Sequence, residues 1–207
     1  MTRRLRPAVL LVTATLVTLA AVTVVSAQVG NAETVTATDS SGARATIRDV
    51  NGNTIGTLTI LSKRSSVVVT ASVSRQTAGF HGFHIHTTGI CDPAATDASG
   101  NPSPFFTAGG HFNPGGATHG SHAGDLPALL VVTAGSAASV VETDRFTVAD
   151  LLDADGSAVI VHALPDNLAN IPTRYTSSTT GLPGPDAATL GTGDSGGRVA
   201  CGVVRRL

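Results

Sequence analysis

GFHGFHIH, residues 79–86, places three of the chain's seven histidines within six positions and ends on Phe83-His84-Ile85-His86. In an extended chain, side chains two residues apart share a face. A strand here therefore turns Ile85 toward a core and sets His84 and His86 together on the opposite face, where both can approach one ion. His81 stands three positions earlier and needs a different orientation. It is read as a structural, hydrogen-bonding histidine, with direct ligation as the alternative.

The segments around this run have the same texture. ARATIRD (43–49), TIGTLTI (54–60) and SSVVVTASV (65–73) are short and rich in β-branched residues, and VNGN between the first two carries the hairpin pair Asn51-Gly52. ALLVVTA (128–134) and SAASVVETD (136–144) form a further pair around Gly135, and SAVIVHA (157–163) and VACGVVR (199–205) bring the count to about eight strands. No helical pattern of useful length separates them, and VADLLDADG holds at most one turn. The class expected is all-β, a closed antiparallel sandwich or barrel. Two connections are long, about Thr87 to Leu126 and Ala163 to Arg198. Their Gly, Pro, Ser, Asp and Asn content predicts that neither buries much surface, and loops of such length in a compact domain usually serve a function.

The remaining histidines fall in or beside these loops. GGHFNPGGATHGSHAGD (109–125) carries His111, His119 and His122 and ends on Asp125. Three imidazoles and a carboxylate on a glycine-rich loop make a donor set for tetrahedral zinc or a similar ion; a polar loop network is the alternative. His162 ends the apolar run SAVIV, where a barrel presents a side chain at its rim.

The whole chain sets outer bounds. Arg3, Arg4 and Arg6 precede an uncharged run over 8–25, and Val25-Ser26-Ala27 supplies small residues at a cleavage point. This layout predicts a signal peptide over 1–27. A retained anchor is the alternative, since the apolar run is close to the lower spanning limit of about 17 residues. Without the leader, 10 basic residues face 14 acidic ones, which argues against generic nucleic-acid binding. Residues 28–42 read as a flexible tail and 43–207 as one domain. In an exported chain the two cysteines, Cys91 and Cys201, are most simply a disulfide; two buried thiols are the other reading.

GFHGFHIH, GGHFNP, HGSHAGDL, VIVHALPDN and GGRVACGVV, in this order over about residues 43–207, resemble the copper/zinc superoxide dismutase family, in particular its exported bacterial, actinobacterial-like form. The resemblance implies an eight-stranded Greek-key β-barrel or sandwich of immunoglobulin-like architecture with two functional loops. It implies copper held by His84, His86, His111 and His162, and zinc held by His111, His119, His122 and Asp125, with His111 bridging the two. By the same resemblance Asp166 is the carboxylate that joins the two metal sites through ligand imidazoles, Arg198 guides an incoming anion, and Cys91 pairs with Cys201. The implied activity is disproportionation of superoxide to dioxygen and hydrogen peroxide by a copper redox cycle, in which His111 and Arg198 take part directly. The implied location is secreted or extracytoplasmic, in a periplasm or cell envelope, with no stable membrane insertion after leader removal. A homodimer stays open. The rival reading is a secreted copper- and zinc-binding protein without substantial turnover, which would need neither Arg198 nor Asp166.

Overall fold

The structure, a computed structural model, describes residues 42–207. The expected leader and residues 28–41 of the expected tail lie outside the described residues; Gly42, read as tail, already belongs to the first strand. The described strands are β1 Gly42–Asp49, β2 Thr54–Lys63, β3 Ser66–Val73, β4 Gly79–His81, β5 Phe83–His86, β6 Leu129–Val131, β7 Ala137–Thr143, β8 Ala158–His162, β9 Arg198–Val203 and β10 Arg205–Arg206. All eight expected strands are among them. Gly79–His81 adds a strand of its own ahead of FHIH, and the last run divides at Val204 into β9 and β10.

β1 shows how composition becomes a buried face: Ala43, Ala45 and Ile47 are buried while Arg44, Thr46 and Arg48 are exposed, the period-two alternation of a sheet with one wet side. The main sheet runs β5-β8-β9-β1-β2-β3-β7 with β10 also on β1, every pair antiparallel, and it curls into a half-barrel. β7 lies at one edge while β8, the next strand in sequence, lies beside β5 at the other, so their connection is a Greek-key crossover. The hairpin expected around Gly135 is only partly formed. Its turn closes through Val132 N–H to Ser136 O at 2.9 Å, but β6 pairs with β4 in a separate two-stranded ladder while β7 pairs with β3.

The expectation that the long loops bury little is wrong for the first of them. Phe105, Ala108, Phe112 and Leu126 are all buried. Phe112 and Leu126 join the main core, while at the other end of the loop the Cys91–Cys201 disulfide ties it to β9 with Cα atoms 5.7 Å apart. Phe105 and Ala108 then complete a small apolar cluster with Ala158, Ile160 and Cys201. The second loop contains a short helix, α1 Ala187–Thr192, whose first turn is capped by Asp186 accepting from Thr189 N–H at 3.1 Å. The single turn expected in VADLLDADG is a 3-10 turn over Asp150–Leu152.

Candidate metal centre

β5 supplies the first two histidines. Ile85 packs into the main core, whereas His84 and His86 turn the other way, both fully buried. The first loop folds across them, and its backbone forms bridges His84 to Asp125 and His86 to His111. On the neighbouring strand the register slips between Val161 and His162, so that His162 pairs with Arg198 and Val199 is skipped. A bulge of this kind re-aims side chains, and it brings His162 and Arg198 together at the rim.

Two four-residue donor groups result: His84, His86, His111 and His162, and then His111, His119, His122 and Asp125. His111 belongs to both. Its ring centroid lies 4.0 Å from that of His84, 4.9 Å from that of His86 and 5.1 Å from that of His119.

Hydrogen bonds fix which nitrogen each ring presents. His86 donates through Nδ1 to Gly109 O at 2.9 Å and His162 through Nδ1 to Gly196 O at 3.0 Å, which leaves their Nε2 atoms facing each other at 3.4 Å. Asp166 bridges the two groups, with Oδ2 2.7 Å from His84 Nε2 and Oδ1 2.8 Å from His119 Nε2. The opposite atoms, His84 Nδ1 and His119 Nδ1, are buried without a hydrogen-bond partner. An unpaired buried polar atom costs about 1–3 kcal/mol, a penalty that a bound cation removes.

The second group has the dimensions of a tetrahedral site. Asp125 Oδ1 lies 3.0, 3.4 and 3.3 Å from Nδ1 of His111, His119 and His122, and His122 Nδ1 lies 3.4 Å from His111 Nδ1. A tetrahedron with metal–nitrogen bonds of about 2.0–2.1 Å has edges of roughly 3.3–3.4 Å. Asp125 Oδ2 is engaged by the N–H groups of Gly120 at 2.8 Å and His122 at 3.0 Å, so Oδ1 is the oxygen left to point inward. The residues present therefore fit the ions that the donor sets call for.

Burial decides the electrostatics of the first group. It lowers the pKa of His84 to about 4 and of His162 to about 3, and it pushes His86 well below the ordinary histidine value. All three are neutral ligands at neutral pH. His119 differs: burial pulls it down, but the two carboxylates beside it, Asp125 3.4 Å from Nδ1 and Asp166 hydrogen-bonded at Nε2, outweigh burial and raise it to about 9. Asp125 and Asp166 are held well below the usual carboxylate range because histidine contacts more than offset the opposing effect of burial. Since a ligand must shed its proton before it coordinates, zinc binding to metal-free protein at pH 7.5 is expected to release about one proton, from His119. As pH rises through 9 that release should disappear. Calorimetry in buffers of different ionisation enthalpy measures it.

Arg198 is partly buried, and its pKa is lowered by burial, yet a guanidinium stays charged. It donates through Nη1 to Phe105 O at 2.5 Å and through Nη2 to Gly109 O at 2.6 Å. With His86, His111, His162 and Phe106 it lines an open cleft of about 450 Å³.

His81 belongs to neither donor group. Its Nδ1 donates to the carbonyl of His162 at 2.7 Å, and its Nε2 lies 2.9 Å from the carbonyl of Thr77. Sequence reasoning missed three contributors: the carbonyls of Gly109 and Gly196, which orient ligand rings, and Arg145, whose Nη1 reaches the carbonyl of His122 at 3.3 Å. A backbone carbonyl leaves no mark in a sequence. Gly193 was also unremarked. It has φ 62° at the end of α1, and a Cβ there would collide with Asp166 Oδ1 and His119 Nε2.

A family model described as copper/zinc superoxide dismutase (SODC) matches residues 54–204. A superoxide dismutase [Cu-Zn] of Mycolicibacterium paratuberculosis is 49% identical over 129 residues, which cover 62% of this chain and 57% of that protein. The Mycobacterium tuberculosis protein of the same name is 47% identical over 138 residues, covering 66% and 58%. The chain thus spans less than two thirds of the length of these relatives. Among solved structures, the Cu/Zn superoxide dismutase from Brucella abortus matches with a TM-score of 0.60 at 25% identity, over 79% of this chain and 99% of that one.

Proposed function

This chain belongs to the copper/zinc superoxide dismutase family, and on that premise we propose that it converts two superoxide anions and two protons to dioxygen and hydrogen peroxide. The observation that carries the reading is the position of His111, shared by two donor groups beside a cleft lined by a guanidinium. His84 Nδ1, His86 Nε2, His162 Nε2 and the Nε2 of His111 would hold copper; His111 Nδ1, His119 Nδ1, His122 Nδ1 and Asp125 Oδ1 would hold zinc. When bound, copper supplies a one-electron change between its two common oxidation states and zinc a fixed charge without redox chemistry.

The chain's own residues supply the rest. His111 presents Nδ1 to one group and Nε2 to the other, so whenever Nε2 is not engaged by copper it can carry a proton at the edge of the cleft and give it to a bound anion. Two donors of Arg198 are engaged by carbonyls of the first loop, which fixes the guanidinium plane, and those remaining can meet an anion in the cleft. Asp166 holds His84 and His119 by their Nε2 atoms and so sets both tautomers.

Export to an extracytoplasmic location, with the leader removed after residue 27, belongs to the same reading. The disulfide supports it, because such bonds persist in oxidising compartments. Among the described residues no helix is long and apolar enough to cross a membrane. Whether the protein is a homodimer is decided by sedimentation of the metal-loaded form.

The direct test compares the copper- and zinc-loaded protein with metal-free and zinc-only forms, with metal content measured in each. Dismutation is expected in the first alone. A fully loaded, folded protein without turnover would leave the metal-binding reading standing instead. Arg198→Gln is expected to lower the rate of superoxide capture about tenfold and to flatten its dependence on ionic strength; an unchanged salt profile would contradict steering. Asp166→Asn is expected to weaken metal retention by about 10–100-fold, read as faster loss of zinc and copper to a chelator.

A further inference from the structure

A second and larger cavity lies apart from the histidines, a cleft of about 790 Å³ over β1, β2 and β10, bounded by the disulfide loop at Pro93 and Phe105. It shares no lining residue with the cleft at Arg198. Four arginines line it, Arg44, Arg48, Arg205 and Arg206, against a single acid, Asp49.

That acid is occupied by its own turn. Oδ1 accepts from the N–H groups of Asn51 and Asn53, and Oδ2 from Asn53 Nδ2, each at 2.9 Å. Arg48 donates to the carbonyl of Gly52 at 2.9 Å. The ion pairs among the described residues reach none of the other three arginines.

Arg44 and Arg205 are direct partners across the β1–β10 ladder. Side chains so placed have Cβ atoms about 4.5–5.5 Å apart, and like charges there destabilise the sheet. No ion pair among the described residues offsets this one. On the other flank of β1, Arg44 faces Thr59 and Thr46 faces Thr57, so hydroxyl groups lie among the guanidinium groups. The surface is rich in donors, its described lining residues offer no free carboxylate, and planar guanidinium forks match phosphate oxygens in pairs.

The spacing argues for more than one phosphate. From Arg44 to Arg48, β1 advances about 13 Å, and Arg48 is held at the far end by the carbonyl of Gly52, so a single tetrahedral anion at Arg44 and Arg205 leaves Arg48 unused. We propose that this cleft binds a soluble chain of linked phosphate groups. A flexible chain can follow the concavity between β1 and the disulfide loop at Pro93 and Phe105, into which a flat lipid surface does not bend. The inference is independent of dismutation and stands or falls without it.

Inorganic tripolyphosphate, titrated by calorimetry into the metal-loaded protein at low ionic strength, is expected to bind at least tenfold more tightly than orthophosphate. Arg44→Gln combined with Arg205→Gln should weaken it at least tenfold, whereas Arg174→Gln, outside the cleft, should leave it unchanged. Stripping of metal by the probe would affect all three proteins alike and is removed by that comparison. Tripolyphosphate should also raise the thermal midpoint of the unaltered protein but not of the double variant, which itself should melt no lower because the like-charge pair is gone. Equal binding by the double variant, or loss of binding in Arg198→Gln instead, overturns the proposal. So does sedimentation with phosphatidylglycerol vesicles that depends on Arg44 and Arg205, which would assign the cleft to a lipid surface.

Discussion

His111→Ala is expected to reduce dismutation to background and to weaken both metal sites, by more than the roughly 100-fold that loss of an outer partner costs a metal site. The size of the effect follows from its double membership. One substitution removes Nε2 from the group formed with His84, His86 and His162, and Nδ1 from the group formed with His119, His122 and Asp125. It also deprives Asp125 Oδ1 of a partner at 3.0 Å and leaves that carboxylate buried between two remaining rings. Truncation of any other histidine in these groups touches one four-donor group only. Metal content, dismutation rate and circular dichroism on one preparation check the prediction: the fold should persist while activity and bound metal fall together. Retention of both metals with full turnover would show that the shared ring is dispensable.

Removal of the disulfide by Cys91→Ala with Cys201→Ala is expected to cost about 2–5 kcal/mol of stability in the metal-free protein. The two cysteines are separated by 110 residues, and a loop of roughly 100 residues gives about 4.7 kcal/mol in the chain-entropy description. A local term adds to this, because the bond pins Phe105 and Ala108 against Ala158 and Ile160. The consequence extends to the candidate site: the carbonyls of Phe105 and Gly109 that orient Arg198 both belong to the pinned loop. Anion capture should therefore slow in the same variant after metal is restored. Denaturant unfolding measures the first effect and salt-dependent kinetics the second. A stability change below about 1 kcal/mol, well under the usual cost of losing a native disulfide, would mean that the loop is held by its apolar contacts alone.

Much of the fold was legible because its signals are local. Alternation in ARATIRD, the Asn51-Gly52 turn and the spacing of His84 and His86 each act over a few residues, and each has its counterpart in β1, the β1–β2 hairpin and β5. The pairing of β6 with β4 was not legible, since the hairpin turn at Gly135 fixes only where the chain reverses and not which neighbour its strands join. The buried part of the first loop was misjudged for a related reason. A Gly- and Pro-rich composition describes a segment on its own, whereas Phe105 is buried by a covalent tie to a strand far away in sequence.

By itself the sequence determined which side chains converge in the two donor groups, since histidine type, strand period and motif order are written along the chain. The tertiary structure alone decided which nitrogen each ring presents and what stands beside it. Those choices depend on carbonyls at Gly109 and Gly196, on the bulge that pairs His162 with Arg198, and on Asp166 reaching two rings at once. The physical reason is range: side-chain period is set by bonds between neighbours, while tautomer, charge and donor spacing are set by atoms that only folding brings within hydrogen-bonding distance.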